Sequence, residues 1–331
     1  MPKNNMGIRD IAKLAGVSVA TVSRVINTPE LATPATREKV RAIIREHHYI
    51  PNLTARNLYA KESNSFALFV YDLENPFFIA LVKELHKIAF RDKRTFLICD
   101  TENNEEKERE YFRYCEGIRT KGVIFTEGED NPIFHMETNQ RIAIMDRSHS
   151  PKHSCVRSDN RAGMFTLVDY LYNLNHRTFG FAGLNDEMFS CSDRRDAFVE
   201  ALRERGIEIP EENFFRGGMN PYTGVHAVDY FCTLKNRPTA IVCANDQVAQ
   251  GVVMRANQMG VKIPEDFSVV GFDGCIPDYF TPKITTVRQN IPEIAANLYD
   301  CIFGEDSLPA EHVVDVRLEI GDSCARAVPR V

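Results

Sequence analysis

The 331-residue chain is long enough for two or three domains with their own cores. Its composition, 44% hydrophobic and 26% charged, is that of a globular protein rather than a disordered or fibrous one. No apolar run approaches the roughly 20 residues that span a bilayer. The opening MPKNNMGIRD lacks the apolar stretch of a signal peptide, so a cytoplasmic location is expected. Nine cysteines (99, 115, 155, 191, 232, 243, 275, 301 and 324) form no CxxC pair and no metal-ligand spacing. Reduced thiols are expected, with no metal and no cofactor. The formal charge of −6 is unevenly spread: residues 1–62 hold ten Lys/Arg against five Asp/Glu, and the remainder holds 30 against 41. A basic head on an acidic body suits a chain whose head approaches a polyanion, although a solvated helical face would look the same.

Three short helices are predicted in the head. Residues 8–15 place Ile8, Ile11, Ala12 and Ala15 on one face. Gly16 permits a tight turn, and Ser18 is a good cap for a second helix over 19–26, with Val22, Val25 and Ile26 inward. Thr33 caps and Pro34 opens a third, reaching about His47, with Val40, Ile43 and Ile44 inward. The outward residues of the second helix are small: Val19, Ala20, Thr21 and Ser23, with one long cation, Arg24. Two helices around such a turn, braced by a third, make either a plain bundle or a helix-turn-helix. In the latter, small side chains let the second helix enter a major groove about 12 Å wide. Val19 and Ala20 would meet thymine methyls, Ser18, Thr21 and Ser23 would bond phosphates or bases, and Arg24 would reach guanine. Residues 49–63 form a linker; the predicted helix near 52–60 is too short to persist without a partner.

From Ser65 onward, apolar bursts alternate with amphipathic helices. The strand candidates are 66–71, 95–99, 122–125, 142–145, 178–183, 239–244 and 267–272, and a last one lies at 313–320. This alternation predicts parallel sheets covered on both faces, in two halves, with a ligand cleft beyond the carboxyl ends of the strands.

Residues 8–27, IRDIAKLAGVSVATVSRVIN, carry the AGVS…TVSRV.N signature and resemble the head of the lactose/galactose repressor family of bacterial transcription regulators. The likeness continues through YIPN…A..L (49–58), NPFF (75–78), MDRS (145–148), SDN (158–160), NDQVAQG (245–251) and VVGFDG (269–274). It implies an α/β chain: an all-α helix-turn-helix head over 1–48, a hinge over 49–63, and a two-lobed periplasmic-binding-protein-like body with doubly wound parallel sheets over 64–331. The N-lobe is expected at about 64–159 plus 289–310, and the C-lobe at about 160–288 plus 311–331. The DNA-contacting residues implied are Ser18, Val19, Ala20, Thr21, Ser23, Arg24 and Asn27, with Asn52, Ala55 and Leu58 in the hinge. Leu58 matches the leucine that relatives wedge into a base step, a role compatible with packing on a dimer mate. Gly7 stands where many relatives have a capping Thr, which is expected to soften the first helix.

Hydroxyl-rich ligands call for carboxylates, amides, an arginine and aromatic faces. Asn75, Phe77, Phe78, Asp146, Arg147, Arg194, Asn245, Asp273 and Gln289 supply these near strand ends. Each also has a plain reading: Phe77 and Phe78 as core, Asp146–Arg147 as a surface pair, Asp273 as a turn cap. As a set they resemble the sugar site of periplasmic ribose/galactose-binding proteins, which implies a monosaccharide-like or phosphorylated-sugar effector rather than the nucleobase other relatives bind. Met219 stands where an aromatic is common, leaving Tyr222 as a candidate stacking ring, and Arg195 competes with Arg194. The expected protein is a cytoplasmic homodimeric repressor acting on pseudo-palindromic operator DNA, without membrane contact and not an enzyme. No GxSxG, HExxH or phosphate-binding glycine loop is present. The alternatives are a sugar receptor or a sugar-acting enzyme.

Overall fold

The computed structural model describes residues 6–49, 64–126, 131–146, 150–185, 189–305 and 309–328, apart from the side chain of Asn27. The chain divides into two compact units, residues 1–61 and 62–331.

In the first unit, α1 (Ile8–Ala15), α2 (Val19–Asn27) and α3 (Pro34–Glu46) follow the predicted order. Ile11, Ala12, Ala15, Val22, Val25 and Val40 are buried together, and Ile8, Ile26, Ile43 and Ile44 pack against them. Local chemistry sets the ends. Gly16 takes a left-handed φ of 61° that closes α1. Ser18 Oγ accepts from Thr21 N at 3.1 Å, and Thr33 Oγ1 accepts from Thr36 N at 3.3 Å ahead of Pro34. Gly7 offers no capping side chain, but Asp10 compensates by accepting from Gly7 N at 2.9 Å. Tyr49, placed in the linker by sequence, packs against the head core instead. The rest of the expected hinge lies outside the described residues, including Asn52, Ala55 and Leu58.

In the second unit, one six-stranded sheet comprises β1 (Ser65–Val70), β2 (Thr95–Asp100), β3 (Gly122–Phe125), β4 (Arg141–Met145), β5 (Ser154–Ser158) and β11 (Glu311–Val314). Its order is β11-β5-β4-β3-β1-β2, all parallel. Alternate β1 residues go to opposite faces. Phe66, Leu68 and Val70 meet α4 (Pro76–Arg91) and α10 (Ile291–Phe303), whereas Ala67 and Phe69 share a core with Phe112 of α5 (Glu105–Gly117).

The other sheet, in the order β12-β10-β9-β8-β6-β7, is built from β6 (Phe179–Leu184), β7 (Phe214–Arg216), β8 (Ala240–Cys243), β9 (Ser268–Asp273), β10 (Thr285–Gln289) and β12 (Val316–Glu319). Only the β10–β12 pairing is antiparallel among the described strands. On one face lie α6 (Asn160–Asn173) and α7 (Phe189–Glu204); α8 (Pro221–Phe231) and α9 (Asp246–Met259) cover the other.

The chain crosses between lobes at Asp159, Asn290 and Asp315. This corrects the expected C-lobe boundary. Residues 311–314 belong to the N-lobe sheet, paired Glu311↔Cys155 through Val314↔Ser158, and only from Val316 does the chain join the C-lobe. The single strand read over 313–320 takes in parts of two strands, because Asp315 turns the chain from one sheet to the other: Val314 pairs with Ser158 and Val316 with Gln289.

Candidate functional site

The head presents a slim ridge. Val19, Ala20 and Arg24 are exposed on α2, as is its cap Ser18, and Thr21 and Ser23 are half-buried. Ser18 and Thr21 hydroxyls share a 2.9 Å bond, so one hydroxyl proton of the pair remains available to an outside acceptor. Asn27 is the last residue of the helix.

The body gathers the polar residues at the carboxyl ends of its strands. Asp146 follows β4 in the N-lobe at φ 51°, and Asp273 ends β9 in the C-lobe at φ 116°. Positive φ in a non-glycine residue costs energy and persists where the surroundings impose it, commonly at binding sites. Gly274 follows at φ 71°, and a Cβ there would lie 2.7 Å from the Arg288 backbone.

Between the two aspartates sits Arg194 of α7, 2% exposed. Its Nε donates to Asn160 Oδ1 at 2.9 Å and its Nη1 to the Ala244 carbonyl at 2.8 Å; Asp273 Oδ1 is 3.5 Å from Nη1. The guanidinium lies 3.8 Å over the Phe272 ring. Gln289, at the end of β10, donates Nε2 to Asp273 Oδ1 at 2.6 Å and accepts from Ser158 Oγ with its own Oε1. Burial pushes the Asp146 carboxyl up to about 6, opposed by Arg194 across the cleft and assisted by Asp273 and Asp193. Burial also raises Asp273 against the pull of Arg194. Asp246, on the first turn of α9, is raised by burial and then by Asp273.

Of the remaining predicted residues, two cap helices and two are buried in the N-lobe core. Asn75 caps α4, its Oδ1 accepting from Phe77 N at 3.0 Å. Phe77 and Phe78 are buried in the N-lobe core, edge-on to each other at 5.3 Å. Asn245 caps α9, with Oδ1 accepting from Val248 N at 3.0 Å and Nδ2 donating to the Met219 carbonyl at 3.1 Å. Gln247 ties this turn to the other lobe through Nε2 to the Glu74 carbonyl at 3.3 Å, next to Asn75. Arg147 lies outside the described residues. Tyr222 is 75% exposed on the first turn of α8. Arg195 forms a 2.7 Å ion pair with Asp196.

Sequence reasoning missed Asp246, Asn160 and Gln247. The first and third follow Asn245 in the helix-opening ANDQ, and Asn160 opens α6 in SDN, so helix-start chemistry was the signal that marked them. Among the described residues no His/Cys/Asp/Glu group has metal-binding geometry, and no helix is long and apolar enough to cross a membrane.

Comparison with known proteins agrees with this layout. Residues 7–52 match the family description "Bacterial regulatory proteins, lacI family", and residues 168–324 match "Periplasmic binding protein-like domain". The HTH-type transcriptional repressor PurR of Vibrio vulnificus (strain CMCP6) is 30% identical over 302 residues, 89% of this chain and 90% of that one. PurR of Erwinia tasmaniensis is 32% identical over 289 residues, 85% of each. The Lac repressor dimer bound to operator and the anti-inducer ONPF superposes with a TM-score of 0.85 at 24% identity, covering 97% of this chain and 99% of that one. A complex of the transcriptional regulator CelR with cellobiose gives 0.72 at 25% identity, covering 96% and 99%. The chain therefore belongs to the lacI family of bacterial regulatory proteins, a DNA-binding transcriptional repressor with a periplasmic-binding-protein-like ligand domain.

Proposed function

We propose that the protein is a homodimeric, cytoplasmic, effector-gated repressor. Its α2 face (Ser18, Val19, Ala20, Thr21, Ser23, Arg24, Asn27) reads half-sites of a pseudo-palindromic operator, and Asn52, Ala55 and Leu58 of the hinge contact the centre. Protein two-fold symmetry calls for the same symmetry in the DNA. The effector is a small polyhydroxylated, sugar-like molecule held between the lobes by Asp146, Arg194, Asp273, Gln289, Asn75 and Asn245, with Phe77 and Phe78 behind it.

One observation carries the effector reading: an aspartate from each lobe, both at strand ends and both at positive φ, flanks the buried Arg194. Carboxylates accept from hydroxyls while the guanidinium donates to the same ring's oxygens, a pairing suited to vicinal diols. Arg194 fits the role better than Arg195, because it is buried beside Asp273 whereas Arg195 pairs with the exposed Asp196. The cellobiose held by the similar regulator CelR favours a saccharide as well. Effector closing the lobes shifts operator affinity by its differential binding to the two states, and either sign of coupling satisfies this linkage.

The test is a thermal-shift screen of sugars and sugar phosphates, in which a ligand at 100 times its Kd stabilises by about 2.7 kcal/mol. Hits are then added to protein bound to operator. Asp273→Ala should keep operator binding and lose the response. A response retained in that variant would place the pocket elsewhere.

A further inference from the structure

A second cavity, of about 670 Å³, opens at the other end of the C-lobe sheet. Thr178 and Phe179 lie at the start of β6 and Thr239 just before β8. The carboxyl ends of the same strands lead to Gly183 and Asn245, so this cavity and the effector cleft sit at opposite ends of shared strands. Its volume falls in the range of small-molecule sites.

The lining has a definite chemistry. Arg177, Lys235 and Arg237 supply three cations, and Glu208 is the one acidic side chain among the lining residues. Arg177 is held in place: its guanidinium lies 3.7 Å over the Tyr172 ring, and Nη1 donates to the Tyr172 and His176 carbonyls at 2.9 and 2.8 Å. Arg237 is fixed through Nη2 to Cys232 Sγ at 2.9 Å. Lys235 is exposed. Ile207, Ile209 and Pro210 add an apolar wall. Asn213, 5% exposed, also lines the cavity; its Nδ2 donates to the Phe179 carbonyl at 2.7 Å, while its Oδ1 is buried with no hydrogen-bond partner among the described residues.

We propose that this cavity is a second ligand site, for a small molecule carrying a phosphate or carboxylate on an apolar body. The anion lies between Arg177 and Lys235, and the body lies on Ile207, Ile209 and Pro210. Arginines already fixed by their own contacts lose little freedom on engaging an anion. Because the site is remote from the effector cleft, its ligand and the effector bind without competing for the same atoms.

The test uses the full-length protein and isothermal titration with four probes: phenyl phosphate, benzoate, inorganic phosphate and phenol. Saturable 1:1 binding of phenyl phosphate or benzoate is expected, at least tenfold tighter than inorganic phosphate or phenol. Stronger binding of one identifies the anion. Arg177→Glu/Lys235→Glu should weaken that binding at least tenfold while operator binding stays unchanged; Lys235→Gln, a milder change, should weaken it several-fold and guards against a folding defect. Absence of saturable binding by both anionic aromatics would overturn the proposal, as would equal binding by the charge-reversed variant. Displacement of the probe by an effector that fits the cleft would also overturn it.

Discussion

The carboxyl of Asp146 makes the cleft testable by stability alone. Its pKa rises from the ordinary 3.8 to about 6, mainly through burial. At about 1.4 kcal/mol per tenfold change in proton affinity, the native state holds the ionised form at a cost of at most about 3 kcal/mol, reduced by the solvent that still reaches this half-buried side chain. A raised folded-state pKa fixes the sign. The contribution favours folding fully below pH 3.8 and is lost as pH rises through about 6. Asparagine resembles the protonated acid at every pH. Asp146→Asn should therefore leave stability nearly unchanged at pH 4 and raise it by up to about 3 kcal/mol at pH 7.5. For a body of this size, that is roughly 6–12 °C in the body's melting transition. The same substitution should weaken the effector response, since a neutral amide oxygen accepts from hydroxyls less strongly than a carboxylate and its NH2 group adds a donor where an acceptor stood. Scanning calorimetry of parent and variant at pH 4.5, 6 and 7.5 measures the first effect, and urea midpoints check it independently. A variant no more stable than the parent at pH 7.5, or a gain equal at pH 4.5 and 7.5, would refute the burial argument.

Arg24→Ala should weaken operator binding by roughly 1–3 kcal/mol and leave the melting of the head unchanged, because the side chain is exposed on α2; gel-shift titration and circular dichroism read the two effects. Leu58→Ala should reduce operator affinity and DNA bending together, and unaltered bending in a circular-permutation assay would remove the wedge. Gly251→Ala should destabilise the body by about 1–3 kcal/mol in urea, since its Cβ would stand 1.9 Å from the Pro221 carbonyl oxygen and force α8 and α9 apart.

The head was readable because its signals are local. Gly16, Ser18 and the Thr33-Pro34 pair act on the residues beside them, and the structure uses each as its chemistry suggests. In the body, β1, β3, β4, β6, β8 and β9 announce themselves as apolar bursts because parallel strands covered on both faces must be apolar throughout. By contrast, β5, β10 and β12 read as SCVRS, TTVRQ and VRLE. Their strand character comes from partners far away in sequence: Arg288 stands directly opposite Arg317, an arrangement no local pattern favours, and Glu319 draws Arg288 and Lys283 to itself. The same distance hid the last crossover. Nothing in VVDVRLE states that Val314 pairs with one sheet and Val316 with another.

The cleft residues were legible as types but not as an arrangement. Family likeness supplied Asp146, Arg194, Asp273 and Gln289, and the fold joins them from four elements, but the energetics depend on residues that likeness did not single out. Asn160 and the Ala244 carbonyl hold Arg194 tightly, at 2.9 and 2.8 Å, while Asp273 stands off at 3.5 Å. Charge-assisted bonds are usually 2.7–2.9 Å. The arginine is thus anchored by neutral groups and not closed onto its carboxylate. A buried ion pair left this loose, with Asp246 nearby and Asp146 facing it across the lobes, is a poor way to gain stability. It is a reasonable way to keep acceptors and one donor ready for a ligand that completes their bonding.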